Sequence, residues 1–244
     1  MQEVTGLTVC WNTKNLIEKA LRSVRNFHPD MKIVVIDGSS RHDLCYQYLD
    51  QLVRIDTNLT VDHVNRNIGH GKGLHRGIEK IRTRYALIFD SDIVMVQSPV
   101  TDMLAMMEED TYGVGYTEIT GYDGFEYGVH PIHNRHRPVK YLHPYFQLLQ
   151  IREYKKYKPY IHHGAPCIAA MLDLHLRGLS DKVIKEFPGL GHTSGYGLHW
   201  RPCDGKYILH DVAQFGGTGR MRISRGLDHI EGAWDRSYLK GVPC

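Results

Sequence analysis

The sequence predicts an α/β fold with a doubly wound, mostly parallel central sheet of the Rossmann-like kind. Three observations predict it. The apolar runs Leu7–Trp11, Lys32–Ile36 and Tyr85–Phe89 have strand length and are continuous rather than alternating, as strands buried on both faces demand. Stretches of helical spacing separate the runs. Each run also ends in small polar or acidic residues (Asn12-Thr13, Asp37-Gly38-Ser39-Ser40 and Asp90-Ser91-Asp92), and ligands of open α/β sheets bind beyond the carboxyl ends of strands.

The elements follow in order. After the first strand, Leu16, Ile17, Ala20, Leu21, Val24 and Phe27 recur at helical spacing, and the helix stops before His28-Pro29. After the second, a helix is expected near Asp43–Leu52 and a short strand near Val53–Asp56. Three glycines in Gly69-His70-Gly71-Lys72-Gly73 precede a helix expected from Leu74 to about Arg82; such a loop admits phosphate close to backbone and beside a lysine. It lacks the Gly-Lys-Ser/Thr order of a Walker loop.

Beyond Asp92, extended chain over Ile93–Val96, a helix over Val100–Glu109 and a strand over Tyr112–Tyr116 are expected. From Gly121 to Pro159 periodicity fails, and the stretch reads as an acceptor-side insertion or lid, rich in Tyr, His, Arg and Lys. Helical stretches over Asp173–Leu179 and Asp181–Phe187, a glycine-rich loop at Gly189–Gly197, a short strand over Tyr207–Asp211 and a basic tail complete the chain. The chain reads as one continuous domain with a first half, 1–116, and a second half, 117–244, that holds the long insertion and the basic tail.

Composition excludes several classes. Of 244 residues, 42% are hydrophobic and 23% charged, as in an ordinary globular protein. No apolar run reaches membrane-spanning length and no charged-then-apolar leader opens the chain. Cys10, Cys45, Cys167, Cys203 and Cys244 are scattered without zinc spacing, and their odd number points to reduced thiols and a cytoplasmic location. The formal net charge of +3 is uneven: residues 1–125 carry −4 and residues 126–244 carry +7, with 11 of the 16 histidines. A basic second half suits an anionic partner.

Asp90-Ser91-Asp92 is the stretch that points most directly to chemistry. Two carboxylates on a rigid strand end suit Mg²⁺ or Mn²⁺, which take hard oxygen ligands together with substrate phosphates. Arg135, Lys155, Lys156 and Lys158, interleaved with Tyr141, Tyr145, Tyr154, Tyr157 and Tyr160, could neutralise phosphates and stack on bases, so DNA is one candidate acceptor.

Taken together, Val9–Asn12, the Ile33–Ser40 strand and turn, Asn67-x-Gly69 and Asp90-Ser91-Asp92 resemble a family-two glycosyltransferase of the GT-A fold. His163-Gly164-Ala165 and the Leu209-His210 to Gly216-Gly217 segment resemble that family's acceptor side. The resemblance implies a nucleotide-diphosphate sugar donor bound by the first half, 1–116, and an acceptor bound by the second, 117–244. It also implies a divalent cation on the donor's diphosphate and an inverting transfer. By position, Asn12, Asp37, Asn67, Lys72 and Asp90 would bind the donor, and Asp92 and His210 would hold the metal. The family's usual acidic base is absent from Gly191-His192-Thr193-Ser194-Gly195, which leaves His192, Asp173 or Glu186 as candidates for the base.

Acceptor alternatives are a glycan, a phosphorylated lipid or a protein. Competing functions are a nucleotidyltransferase, against which the glycine-poor Trp11-Asn12-Thr13-Lys14 speaks, and a non-catalytic nucleic-acid-binding module, which would not need Asp90 and Asp92.

Overall fold

A computed structural model describes residues 3–122, 124, 127, 137–161, 165–190 and 207–210. The chain begins with β1 (Val4–Cys10), α1 (Lys14–Phe27), β2 (Lys32–Asp37), α2 (Leu44–Leu52), β3 (Leu59–His63), α3 (His70–Ile78) and β4 (Tyr85–Phe89). It continues through β5 (Ile93–Met95), α4 (Val100–Ala105), β6 (Gly113–Thr120), β7 (Val139–Gln150) and α5 (Ile151–Tyr154). The last described elements are α6 (Ile168–Leu176), α7 (Ser180–Val183), β8 (Ile184–Glu186) and β9 (Ile208–His210).

The central sheet is seven-stranded, in the order β3-β2-β1-β4-β7-β6-β8. Strands β3, β2, β1 and β4 are mutually parallel, so the α/β expectation holds where the βαβ pattern generates it. Strand β7 is antiparallel to both β4 and β6, and β8 is parallel to β6. A two-stranded antiparallel sheet, β5 with β9, lies apart from it.

Alternating side chains of the parallel strands feed two cores. Ile33, Val35, Leu87 and Phe89 pack with Ile17, Ala20, Leu21 and Val24 of α1, with Leu49 of α2 and with Val100 and Met103 of α4. Val34, Ile36, Ala86 and Ile88 pack with Leu74 and Ile78 of α3 and with Ile168–Leu172 of α6. Helices therefore cover both faces, which is why β2 and β4 show no polar alternation.

Several expected elements fall elsewhere. Val53–Asp56 is not a strand: the Val53 and Asp56 amides donate to the Leu49 and Leu52 carbonyls, so helical turns run on and Ile55 stays exposed. The strand starts at Leu59, after a turn in which Asp56 Oδ1 accepts the Asn58 amide. α4 ends at Ala105, well before Glu109, and α6 spans Ile168–Leu176 rather than Asp173–Leu179. The stretch read as a helix over Asp181–Phe187 is the four-residue α7 followed by β8, because Ile184–Glu186 pairs with the edge of β6.

The largest correction concerns Gly121–Pro159. Its second part is no lid but β7, a 12-residue strand in the middle of the sheet.

Helix α3 begins at His70, not Leu74, so Gly71 and Gly73 are helical residues. Packing requires glycine at Gly73 and at Gly77. A Cβ on Gly73 would lie 2.7 Å from Val9 Cγ1, and one on Gly77 would lie 2.2 Å from Leu7 Cδ1. Alanine at Gly77 gains about 1 kcal/mol of helix propensity but overpacks a buried site, costing about 1–3 kcal/mol. Gly77→Ala is expected to be destabilising by denaturant titration, and Leu7→Val should recover part of the loss. A more stable Gly77→Ala would show that α3 can move off β1 freely.

Candidate active site

The carboxyl ends of β1, β2, β3 and β4 lie side by side, and the loops leaving them form the candidate site. β1 ends at Cys10, in register with Asp37 at the end of β2, and Asp37 is in register with His63 at the end of β3. Asn12 follows in a left-handed conformation (φ 54°), and its amide donates to Ser39 Oγ at 2.8 Å. Its side-chain oxygen is buried and has no hydrogen-bond partner among the described residues.

Asp37 is wholly buried, and its carboxylate faces inward. Oδ1 accepts the Ser39 amide at 2.9 Å, and Oδ2 lies 2.8 Å from His63 Nδ1. In this conformation it does not offer an oxygen to a nucleoside. The loop after β3 crosses directly over the turn, since a Cβ on Gly38 would meet the Arg66 carbonyl oxygen at 2.9 Å.

Asn67 shapes the next turn by accepting the Gly69 amide on Oδ1 at 2.9 Å. Gly69 (φ 82°) turns the chain into α3, and its carbonyl accepts the Gly73 amide. The amides of His70, Gly71 and Lys72 thus belong to a helix start, which carries positive potential. Lys72 is exposed on this first turn.

β4 delivers Asp90, whose amide donates to the Tyr145 carbonyl of β7 at 2.9 Å. Its carboxylate lies 3.3 Å from His70 Nε2, with 19% of the side chain exposed. The α3 start therefore sits against the Asp90 turn. Burial pushes the Asp90 carboxyl up to about 7.

The sign of the resulting stability change follows. Unfolded, Asp90 ionises near 3.8; folded, it holds its proton to about 7. Between these values the unfolded chain binds fewer protons, so stability falls as pH rises and the loss is complete above about 7. Asp90→Asn in chelator-treated protein is thus expected to raise stability at pH 8 by on the order of 2 kcal/mol, less than the full shift because the site is partly exposed. At pH 4 the gain should vanish; melting curves showing equal gains at both pH values would refute the burial account.

Asp92 is half-buried and immediately precedes β5. In the small sheet, Ile93 pairs with His210, so the backbone of His210 runs beside the residue that follows Asp92. Sequence distance hides this juxtaposition of two expected metal ligands.

The other expected residues are not gathered there. Asp173, on α6, has Oδ1 2.9 Å from Arg177 Nε and accepts the Lys158 amide on Oδ2 at 3.1 Å. Glu186, on β8, accepts the Thr117 hydroxyl. Lys156 is bound to the buried Glu153 at 2.6 Å, and Lys155 is exposed. His192 and Arg135 lie outside the described residues. Tyr141, Tyr145, Tyr154 and Tyr160 are buried in the two cores, where the rings pack rather than offer faces to bases. Of the tyrosines expected to stack, Tyr157 alone keeps partial exposure: Tyr141 and Tyr145 belong to β7, and Tyr154 and Tyr160 pack into the core from α5 and the chain after it.

Sequence reasoning missed His70, masked by attention to the glycines and Lys72, and His63. It also missed the meeting of Cys10 with Cys45. A usable signal was available for Cys10 and Asp37: both end adjacent parallel strands in the same register.

Residues 7–176 match the family described as Glycosyl transferase family 2. The chain belongs to glycosyl transferase family 2. Three solved structures, of two proteins, show the fold of this family 2 chain. The first is the mannosyltransferase PcManGT from Pyrobaculum calidifontis in complex with GDP-Man and Mn²⁺, at TM-score 0.56 and 12% identity, over 80% of this chain and 58% of that one. The second is S. aureus TarS 1-349, at TM-score 0.54 and 16% identity, over 95% of this chain and 67% of that one. TarS in complex with UDP-GlcNAc aligns at TM-score 0.51 and 17% identity, over 76% of this chain and 56% of that one. The family 2 chain thus spans between about half and two thirds of the length of these proteins. A comparison with curated proteins gives no match. The fold is GT-A, with its mostly parallel sheet and antiparallel β7. Among the described residues, no helix is long and apolar enough to cross a membrane.

Proposed function

We propose that this family 2 chain transfers a sugar from a nucleoside-diphosphate sugar to an acceptor hydroxyl. The observation that carries the reading is the Asp90-Ser91-Asp92 turn at the carboxyl end of β4, flanked by the start of α3 and by the β5–β9 pairing. Similar folds have been solved with GDP-Man and Mn²⁺ and with UDP-GlcNAc, which supports this class of donor.

The donor set fits a divalent cation. Asp90 and Asp92 offer hard anionic oxygens on a rigid strand end, and Asp90 is costly to ionise without a nearby positive charge. Asp92 and His210 are the proposed ligands, with Mn²⁺ accepting imidazole more readily than Mg²⁺ does. A bound cation would neutralise the charge that develops on the departing nucleoside diphosphate. The positive N-terminal turn of α3, with Lys72 on it, would receive phosphate oxygens. Asn12 and Asn67 shape the loops that would border the nucleoside.

The acceptor hydroxyl must lose a proton as its oxygen attacks the anomeric carbon and the bond to the diphosphate breaks. Asp173 is committed to Arg177 and to the Lys158 amide, so His192 is the base we propose; imidazole has the right basicity near neutral pH. A single displacement of this kind inverts the anomeric centre.

The test is a panel of UDP- and GDP-sugars incubated with the protein and Mn²⁺ or Mg²⁺, reading nucleoside diphosphate release. Release that stops with chelator supports the reading; pyrophosphate release instead would assign a nucleotidyltransferase. Acceptor classes are then offered with the accepted donor. A hydroxylated base in DNA is now supported by the +7 balance of residues 126–244 and not by exposed tyrosines. DNA binding that falls steeply with salt and weakens in a Lys155/Lys156/Lys158 triple alanine variant would support it. No binding at low ionic strength would leave glycan, lipid-phosphate or protein acceptors.

A further inference from the structure

Behind the Asp37 turn lies a cluster that the proposed transfer does not use. Cys10 Sγ lies 3.8 Å from Cys45 Sγ and 3.6 Å from Asp37 Oδ1, and Cys45 Sγ lies 4.0 Å from the same oxygen. All three residues are buried, and they form a group of potential ligands within 4.8 Å of one another. They come from three elements: the end of β1, the end of β2 and the first turn of α2. This is why no local cysteine spacing announces the group.

A tetrahedral zinc with Zn–S and Zn–O bonds of ordinary length has edges of roughly 3.8 Å between sulfurs and roughly 3.5 Å between sulfur and oxygen. Two of the three observed separations fit these edges within 0.1 Å, and the third needs a shift of about half an ångström. We infer that Cys10, Cys45 and the Oδ1 atom of Asp37 form a buried zinc site, distinct from the cation site at Asp92.

The surroundings are built for it. His63 holds Asp37 Oδ2 at 2.8 Å and packs against Tyr46 of α2, with ring centroids 3.8 Å apart, so Oδ1, which also accepts the Ser39 amide, faces the sulfurs. Partners that fix a ligand in this way are typical of metal sites. Asp43 caps α2 by accepting the Cys45 amide, which sets Cys45 in the positive first turn of the helix. Each cysteine releases its thiol proton to solvent as its Zn–S bond forms.

A disulfide accounts less well for the cluster. It would draw the sulfurs together to about 2.0 Å and would not use the carboxylate oxygen that both sulfurs approach. A zinc ion would tie the two strand ends and α2 together beneath the loop that carries Asn12.

The experiment uses the full chain, reduced, stripped with chelator and titrated with Co²⁺ and then Zn²⁺. The expected result is a thiolate-to-cobalt charge-transfer band saturating at one equivalent, bleached by Zn²⁺ and unchanged in Asp92→Asn and Cys167→Ser. Cys10→Ser and Cys45→Ser should lose the band, and His63→Ala should weaken zinc binding by about 10- to 100-fold. Because the serine variants can fail to fold, zinc-edge X-ray absorption on the unaltered protein gives an independent count; two sulfur neighbours support the site. No charge-transfer band, a band retained in the Cys10→Ser/Cys45→Ser double variant, a Cys10–Cys45 disulfide in the isolated protein, or zinc with no sulfur or four sulfurs would each overturn it.

Discussion

Asp92→Asn is expected to slow sugar transfer by roughly a hundred- to a thousandfold, about 3–4 kcal/mol of transition-state stabilisation, with little change in melting temperature. An amide is neutral and a much weaker ligand for a hard cation than a carboxylate. The residue is half-buried between β4 and β5 and is not part of either core, so the fold should tolerate the change. The loss should appear in kcat at saturating donor, and raising Mn²⁺ should restore little of it. A variant with wild-type turnover in the presence of chelator would end the metal-assisted reading.

Phe146→Ala should have the largest effect on stability, about 3–5 kcal/mol. Phe146 is fully buried at the middle of β7, opposite Phe89 of β4, and its ring belongs to the core beneath α1 and α4. Truncation leaves a cavity that two rigid neighbouring strands cannot close. Phe146→Leu keeps most of the volume and should cost about 1 kcal/mol. Urea titration of both variants separates the alternatives: if Phe146→Ala lost less than about 1 kcal/mol, residues 139–150 would be a surface segment after all.

That segment shows where sequence reading ran out. β2 was legible because each of its apolar residues is buried on one face or the other, and no polar residue interrupts the run. β7 carries Lys140, His143, Pro144, Gln147 and Gln150, a composition that argues against a central strand. Its two glutamines are satisfied by partners remote in sequence. The Gln150 amide donates to the Glu109 and Thr111 carbonyls, and that of Gln147 to Cys167 Sγ. Pro144 falls where the β6–β7 register shifts, so the missing amide breaks no regular pair with β6.

The candidate site divides the same way. Asp90 and Asp92 were readable because both carboxylates belong to one strand end. The approach of His70 to Asp90, the pairing of β9 with β5 and the convergence of Cys10 with Cys45 are products of the fold.

The hydrogen bond from the Asp90 amide to the Tyr145 carbonyl has a kinetic consequence. Strands β1 to β4 come from consecutive βαβ units, whose contacts close over short stretches of chain. The second flank of β4 is supplied only when β7 arrives from beyond residue 138, after the slower search that distant pairing imposes. In refolding, circular dichroism should therefore recover ahead of turnover. The interval between the two signals is the time during which the chain already has a sheet but the turn bearing Asp92 has nothing to hold it still.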